Sequence, residues 1–352
     1  MIFASDNWSG VLPQVAEALQ RHSTGYSAAY GDGDLDQAIE NTFSELFEHD
    51  CRAFFVGTGT AANSMAAAAY SRPGGVVFAQ SESHVIANEG GAPEAFTHGG
   101  RLIPVSGDHG LMDPTALEDA IKRYPNTFNH LGQGTLVTVT QSTEAGTVYS
   151  LDHLDQLCAI AKEGNLPVHM DGARFANALV KLGCSPAEMT WQRGVDMVSF
   201  GGTKNGCWCA EALLVFNPSV AEDFRFLRKR MGHLFSKSRF VSAQFDGYLK
   251  GDAWLEAASH SNAIGNALEN AIDQSNRIRL AWQSGTNQVF FIADAAFAAQ
   301  LLEKGAAFYP FAASEKVHSE MRDGEQLYRL VASFSSTMSD VEAFMSLVEN
   351  AD

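Results

Sequence analysis

Residues 52–70 read Arg-Ala-Phe-Phe-Val-Gly-Thr-Gly-Thr-Ala-Ala-Asn-Ser-Met-Ala-Ala-Ala-Ala-Tyr. Apolar side chains on consecutive positions of 52–56 predict a strand buried on both faces. Gly57-Thr58-Gly59-Thr60 breaks the run, and the alanines of 61–70 predict a helix thin enough to lie close on a sheet. A strand, a glycine turn and a helix in that order form the unit of an α/β fold. Similar apolar runs follow at 76–79, 101–105, 136–140, 168–170, 197–200 and 212–216, and helical stretches at 36–48, 114–123 and 151–163 alternate with them. Strands of this kind, separated by helices, imply a mainly parallel sheet covered on both faces. Ligands in such sheets bind at the carboxyl ends of the strands. Beyond residue 220 the pattern changes. Helical stretches at 220–237 and 252–274 precede strand-like runs at 288–292 and 327–333 and a final helix at 339–349. The expectation is a large domain over 1–245, with an N-terminal arm, and a smaller α+β domain over 246–352.

The composition supports a folded chain with a substantial core: 352 residues, 45% hydrophobic and 18% charged. The formal charge of −17 disfavours nucleic acid and anionic membrane surfaces as partners. Any anionic ligand must be met by a local cluster of donors. Met1-Ile2-Phe3-Ala4-Ser5-Asp6 lacks the basic-then-apolar start of a signal peptide, and the apolar runs are too short to cross a bilayer. The five cysteines are scattered, and Cys207-x-Cys209 lacks the spacing of a zinc knuckle. Free thiols in the cytoplasm, and no metal site, are expected.

Ser199-Phe200-Gly201-Gly202-Thr203-Lys204-Asn205-Gly206 carries the strongest local chemistry. A strand ends in two glycines, which let backbone approach a ligand, and then in a lysine. A lysine in a dry pocket has a lowered pKa and forms an imine with an aldehyde. A surface lysine on a glycine turn would look the same. His169-Met170-Asp171-Gly172-Ala173-Arg174 changes the reading, because it ends the preceding strand with an acid. Asp171 could cap a helix; it could also hold a protonated pyridine nitrogen. On neighbouring strand ends, Asp171 and Lys204 span a pyridine aldehyde. Gly57-Thr58-Gly59-Thr60, at a helix N-terminus, offers N–H groups and the hydroxyls of Thr58 and Thr60 to a phosphate. It is neither a P-loop nor a dinucleotide fingerprint. His84, after another strand, can stack on a ring or serve as an ordinary polar residue.

In this order, the residues resemble the L-threonine aldolase family, within the aspartate-aminotransferase-like fold of pyridoxal-phosphate (PLP) enzymes. The resemblance runs through Ser5-Asp6-Asn7, Ala29-Tyr30-Gly31-Asp32, Gly57–Asn63, His84, Asp171–Arg174, Ser199–Gly206 and Tyr328-Arg329-Leu330-Val331. It implies cleavage of β-hydroxy-α-amino acids to glycine and an aldehyde. It implies Lys204 as the Schiff-base lysine, Asp171 on the pyridine nitrogen, Gly59 and Thr60 in the phosphate cup and His84 on the ring. It implies Ser5, Arg174 and Arg329 on the substrate carboxylate, which suits the guanidinium fork, and Tyr30 in a site near a subunit boundary of a homodimer or tetramer. Two departures stand out. Gln141-Ser142-Thr143-Glu144 replaces the Glu-Asn-Thr-His of many members, which puts Glu144 beside the substrate side chain. Lys237 is the nearest basic group for a neighbouring subunit's phosphate. Both departures resemble the low-specificity and phenylserine-type branch. The alternatives on this fold are a β-eliminating lyase, an aminotransferase or a non-catalytic PLP-binding protein.

Overall fold

The computed structural model describes residues 1–125, 127–217 and 220–351. Its larger sheet contains β1 (Arg52–Val56), β2 (Gly75–Gln80), β3 (Arg101–Val105), β4 (Gln133–Thr140), β5 (Val168–Gly172), β6 (Met197–Gly201) and β7 (Glu211–Val215). The order across the sheet is β1-β7-β6-β5-β4-β2-β3. The pairs from β3 to β6 are parallel, and β7 is antiparallel to both of its neighbours.

Alternation along each strand feeds two separate cores. Phe55, Phe78, Val139, Met170, Phe200 and Leu214 face one core. It is closed by helices Asp34–Leu46, Leu151–Glu163 and Phe175–Leu182, through residues such as Phe43, Leu157 and Phe175. Their neighbours Phe54, Val77, Leu136, Met197 and Leu213 face the other. There the helix Gly59–Ala69 lies on the sheet through Ala62, Met65 and Ala66, with Phe224 of helix Glu222–Arg230 beside it. Sheet burial on both faces explains why these strands read as unbroken apolar runs.

A second, antiparallel sheet has the order β10-β11-β9-β8, from β8 (Arg279–Trp282), β9 (Gln288–Asp294), β10 (Tyr309–Pro310) and β11 (Glu325–Val331). The helix Ala253–Asp273 joins the two regions. Trp254 belongs to the first core, and Ile264, Leu268 and Ile272 pack under the small sheet. The N-terminal arm reaches this small sheet too: Val331 N–H donates to the Phe3 carbonyl at 2.7 Å, and Phe3 is buried with Phe344.

Of the helical stretch expected over 220–237, only Glu222–Arg230 is a helix; the next helix, Arg239–Tyr248, begins beyond it. Gly232, at φ +76°, takes the left-handed conformation that ends the first one. The connecting segment folds back on the glycine turn after β1, where Phe235 lies against Gly57.

Candidate active site

The carboxyl ends of β5 and β6 approach closely because glycine permits it. A Cβ on Gly201 would stand 2.5 Å from the Ala173 carbonyl oxygen, and one on Gly172 2.8 Å from that of Ser199. Asp171 is paired in register with Ser199, so Asp171 and the turn Thr203–Asn205 occupy neighbouring strand ends. The turn is anchored from behind, where the Asn205 side-chain amide donates to the Tyr248 hydroxyl and the Trp254 carbonyl. Glu211 accepts from Thr203 N–H, and burial pushes its carboxyl up to about 7. Lys204 is half-buried and makes no hydrogen bond or ion pair among the described residues.

Asp171 is buried. Its Oδ1 accepts from Ala173 N–H and its Oδ2 from Asn63 Nδ2 at 2.9 Å. Burial, then the charges of Glu89 and Glu144, push its carboxyl above the usual range. A protonated ring nitrogen is the kind of donor that would reverse that shift. Asn63 also donates to Glu89 Oε1 at 2.8 Å, and the same oxygen lies 3.0 Å from His84 Nδ1. This hydrogen bond raises the His84 pKa, against the effect of burial. Asn63 and Glu89 are site residues that the sequence reading did not single out.

At the glycine turn, the Thr58 hydroxyl caps the helix Gly59–Ala69 by accepting from Ala61 N–H, so that lone pair is not free for an added ligand. Gly57 N–H donates to His233 Nδ1. A side chain on Gly59 would point into open space, and Thr60 is half-buried beside it.

Two guanidiniums face the cluster. Arg174 pairs with Asp6 through Nε–Oδ2 at 2.7 Å and Nη2–Oδ1 at 3.1 Å, both residues being buried. Burial opposes the ionisation of Asp6, but Arg174 and Lys204 hold its carboxyl below the usual range. Arg329, on β11, has no ion pair among the described residues, and its buried Nε lacks a partner. Burial and the like charge of Arg174 lower its pKa, while Asp6 and Glu144 act against them. Glu144 is half-buried within electrostatic reach of His84, Asp171, Arg174 and Arg329. The Ser5 hydroxyl accepts from Asn7 N–H, beside Asp6.

Lys204, Asp171, His84, Arg174, Arg329 and Glu144 thus form one group. Tyr30 and Lys237 are outside it within this chain. Tyr30 is exposed, with Lys229 over its ring, and Lys237 is exposed on the returning loop.

Buried polar atoms normally find partners. Here Thr140 Oγ1, Ser142 Oγ and Ser83 Oγ have none among the described residues, and all three lie at or just past the carboxyl ends of β2 and β4. Unpaired hydroxyls, a free lysine, a carboxylate at the neighbouring strand end and a helix N-terminus make a donor set that fits a phosphorylated pyridine aldehyde.

Comparison with known proteins agrees. A family profile for beta-eliminating lyases matches residues 3–296. The chain is 41% identical to a low specificity L-threonine aldolase of Pseudomonas aeruginosa, over 88% of this chain and 89% of that one. A low specificity L-threonine aldolase of Saccharomyces cerevisiae is 25% identical over 81% of this chain and 72% of its own. The solved threonine aldolase of Leishmania major superposes with a TM-score of 0.90 at 27% identity, covering 99% of this chain and 98% of that one. With its seven-stranded, mostly parallel sheet and this strand-end constellation, the chain belongs to the threonine aldolase group of the PLP-dependent beta-eliminating lyase family.

Proposed function

We infer that this protein cleaves L-threonine, L-allo-threonine and related β-hydroxy-α-amino acids, including phenylserine-type substrates, to glycine and an aldehyde. The observation that carries this reading is the placement of Asp171 and Lys204 on adjacent strand ends, Lys204 having no partner among the described residues, together with an Arg329 Nε that is buried and likewise unpartnered there. Bound PLP supplies an aldehyde for the substrate amine and a protonated ring that takes up the electron pair of the breaking Cα–Cβ bond.

The chain's own residues do the rest. Lys204 would hold the cofactor covalently, and Asp171 would keep its ring nitrogen protonated. Gly59 and Thr60, at the positive end of their helix, hold the phosphate; Thr58 shapes that turn. Arg174, Arg329 and Ser5 fix the substrate carboxylate, Arg329 supplying the charge that Asp6 does not already neutralise. That grip would fix the orientation of the substrate's Cα–Cβ bond in the site. His84 would pack on the cofactor and take the β-hydroxyl proton, and Glu144 would stand beside the substrate side chain.

Tyr30 and Lys237 complete the site of a neighbouring subunit in a homodimer or tetramer. Their exposure here supports that reading. The large domain covers 1–245 and the small one 246–352, with residues 1–4 reaching across to the small sheet. The protein works in the cytoplasm. Borohydride reduction of the holoenzyme followed by peptide mapping tests the site: the cofactor should be found on Lys204, and its recovery on another lysine rejects the assignment. Sedimentation tests the assembly, which an active monomer would exclude.

A further inference from the structure

Asn63 and Glu89 have no role in the mechanism above, yet both are buried between its two ring-facing groups. Asn63 Nδ2 has two hydrogens; one goes to Asp171 Oδ2 and the other to Glu89 Oε1. The same Glu89 oxygen meets His84 Nδ1. That oxygen already accepts from Asn63, so His84 presents Nδ1–H to it and leaves Nε2 without a partner among the described residues. One buried amide therefore holds two carboxylates, one behind the ring nitrogen's partner and one behind the histidine. We propose that Glu89 is a positioning residue that keeps the proton of neutral His84 on Nδ1 and its Nε2 turned to the substrate hydroxyl, with Asn63 locking it in register with Asp171. The proposal deepens the retro-aldol reading and rests on it.

The proton balance is simple. The β-hydroxyl proton moves to Nε2 as the Cα–Cβ bond breaks, and glycine takes one proton at Cα, so the net reaction consumes none. While His84 carries the extra proton, Glu89 faces its positive charge at 3.0 Å. The other charged groups that face His84 are Glu144, after β4, and Lys204, after β6. Glu89 has the largest influence and raises the pKa; Glu144 adds to it, and Lys204 opposes it.

The test is nitrogen NMR of the holoenzyme with labelled histidine, in wild type and Glu89→Gln, beside pH–rate profiles. In wild type, neutral His84 should be the Nδ1–H tautomer; the Nε2–H tautomer would overturn the proposal even if no variant folds. In Glu89→Gln, His84 should titrate at lower pH with mixed tautomers, and the acidic limb of kcat/KM should move down by the same amount. The fall in kcat should be smaller than the roughly 10²–10⁴-fold expected for loss of the base itself. A His84 titration and tautomer unchanged by Glu89→Gln refute the proposal. A shifted His84 in Glu89→Gln, with near-normal turnover in His84→Phe, supports the clamp and rejects His84 as the base, so the two failures differ.

Discussion

Asp6 closes the Arg174 guanidinium at two nitrogens, whereas Arg329, which faces the same cluster, has no carboxylate partner among the described residues. Asn287 also donates to Asp6 Oδ2, so the pair is held at the junction of the two sheets. A buried charge without a partner is costly unless a ligand supplies one. In the proposed function, the substrate carboxylate is that ligand. Arg329→Ala should leave the cofactor absorbance intact and raise KM strongly, since breaking a buried ion pair costs roughly 3–5 kcal/mol. Steady-state kinetics on threonine checks this, and unchanged KM removes Arg329 from the carboxylate site.

The same buried pair predicts a stability effect. Asp6→Ala leaves Arg174 buried and alone, so it should destabilise the fold by roughly 3–5 kcal/mol as well as weaken substrate binding. Denaturant unfolding measures this. A loss below about 1 kcal/mol would mean that Arg174 finds another partner.

Glu211 gives a pH-dependent prediction. Its folded-state pKa is raised to about 7 by burial. The folded protein therefore holds this proton more tightly than the unfolded chain. The associated stability is fully present below the ordinary glutamate pKa and is lost as the pH rises to about 7. The displacement corresponds to a loss on the order of 3 kcal/mol. Glu211→Gln, which preserves the acceptor for Thr203 N–H, should stabilise the protein at pH 8 and have little effect at pH 4. Equal effects of the substitution at both pH values would show that Glu211 does not titrate in this window.

The proposed role of His84 as base has one alternative, Glu144. His84→Phe should retain the cofactor, because an aromatic ring still packs on it, and lose roughly 10²–10⁴-fold in turnover. Glu144→Gln should change preference among side chains more than rate. Near-normal turnover in His84→Phe, together with collapse in Glu144→Gln, moves the base to Glu144.

Much of this site is legible in the sequence because chemistry and backbone coincide there. Apolar runs ending in Asp171-Gly172 and Gly201-Gly202 mark strand ends whose glycines the packing requires, and Lys204 follows directly. Asn63 and Glu89 are not legible. An asparagine in an alanine helix and a glutamate in a glycine loop read as solvated until tertiary packing buries them. Asp6 escapes for another reason: its partner Arg174 lies 168 residues away, and only the fold joins them. In the small sheet, β8 is half-buried at each of its positions and irregularly paired, so it lacks the apolar run that marks the inner strands.

Product analysis of the holoenzyme with L-threonine separates Cα–Cβ cleavage from β-elimination. Glycine and acetaldehyde should form in equal amounts, and both should be absent with Lys204→Ala. Ammonia and 2-oxobutanoate in their place would make the protein a β-eliminating enzyme and contradict the account.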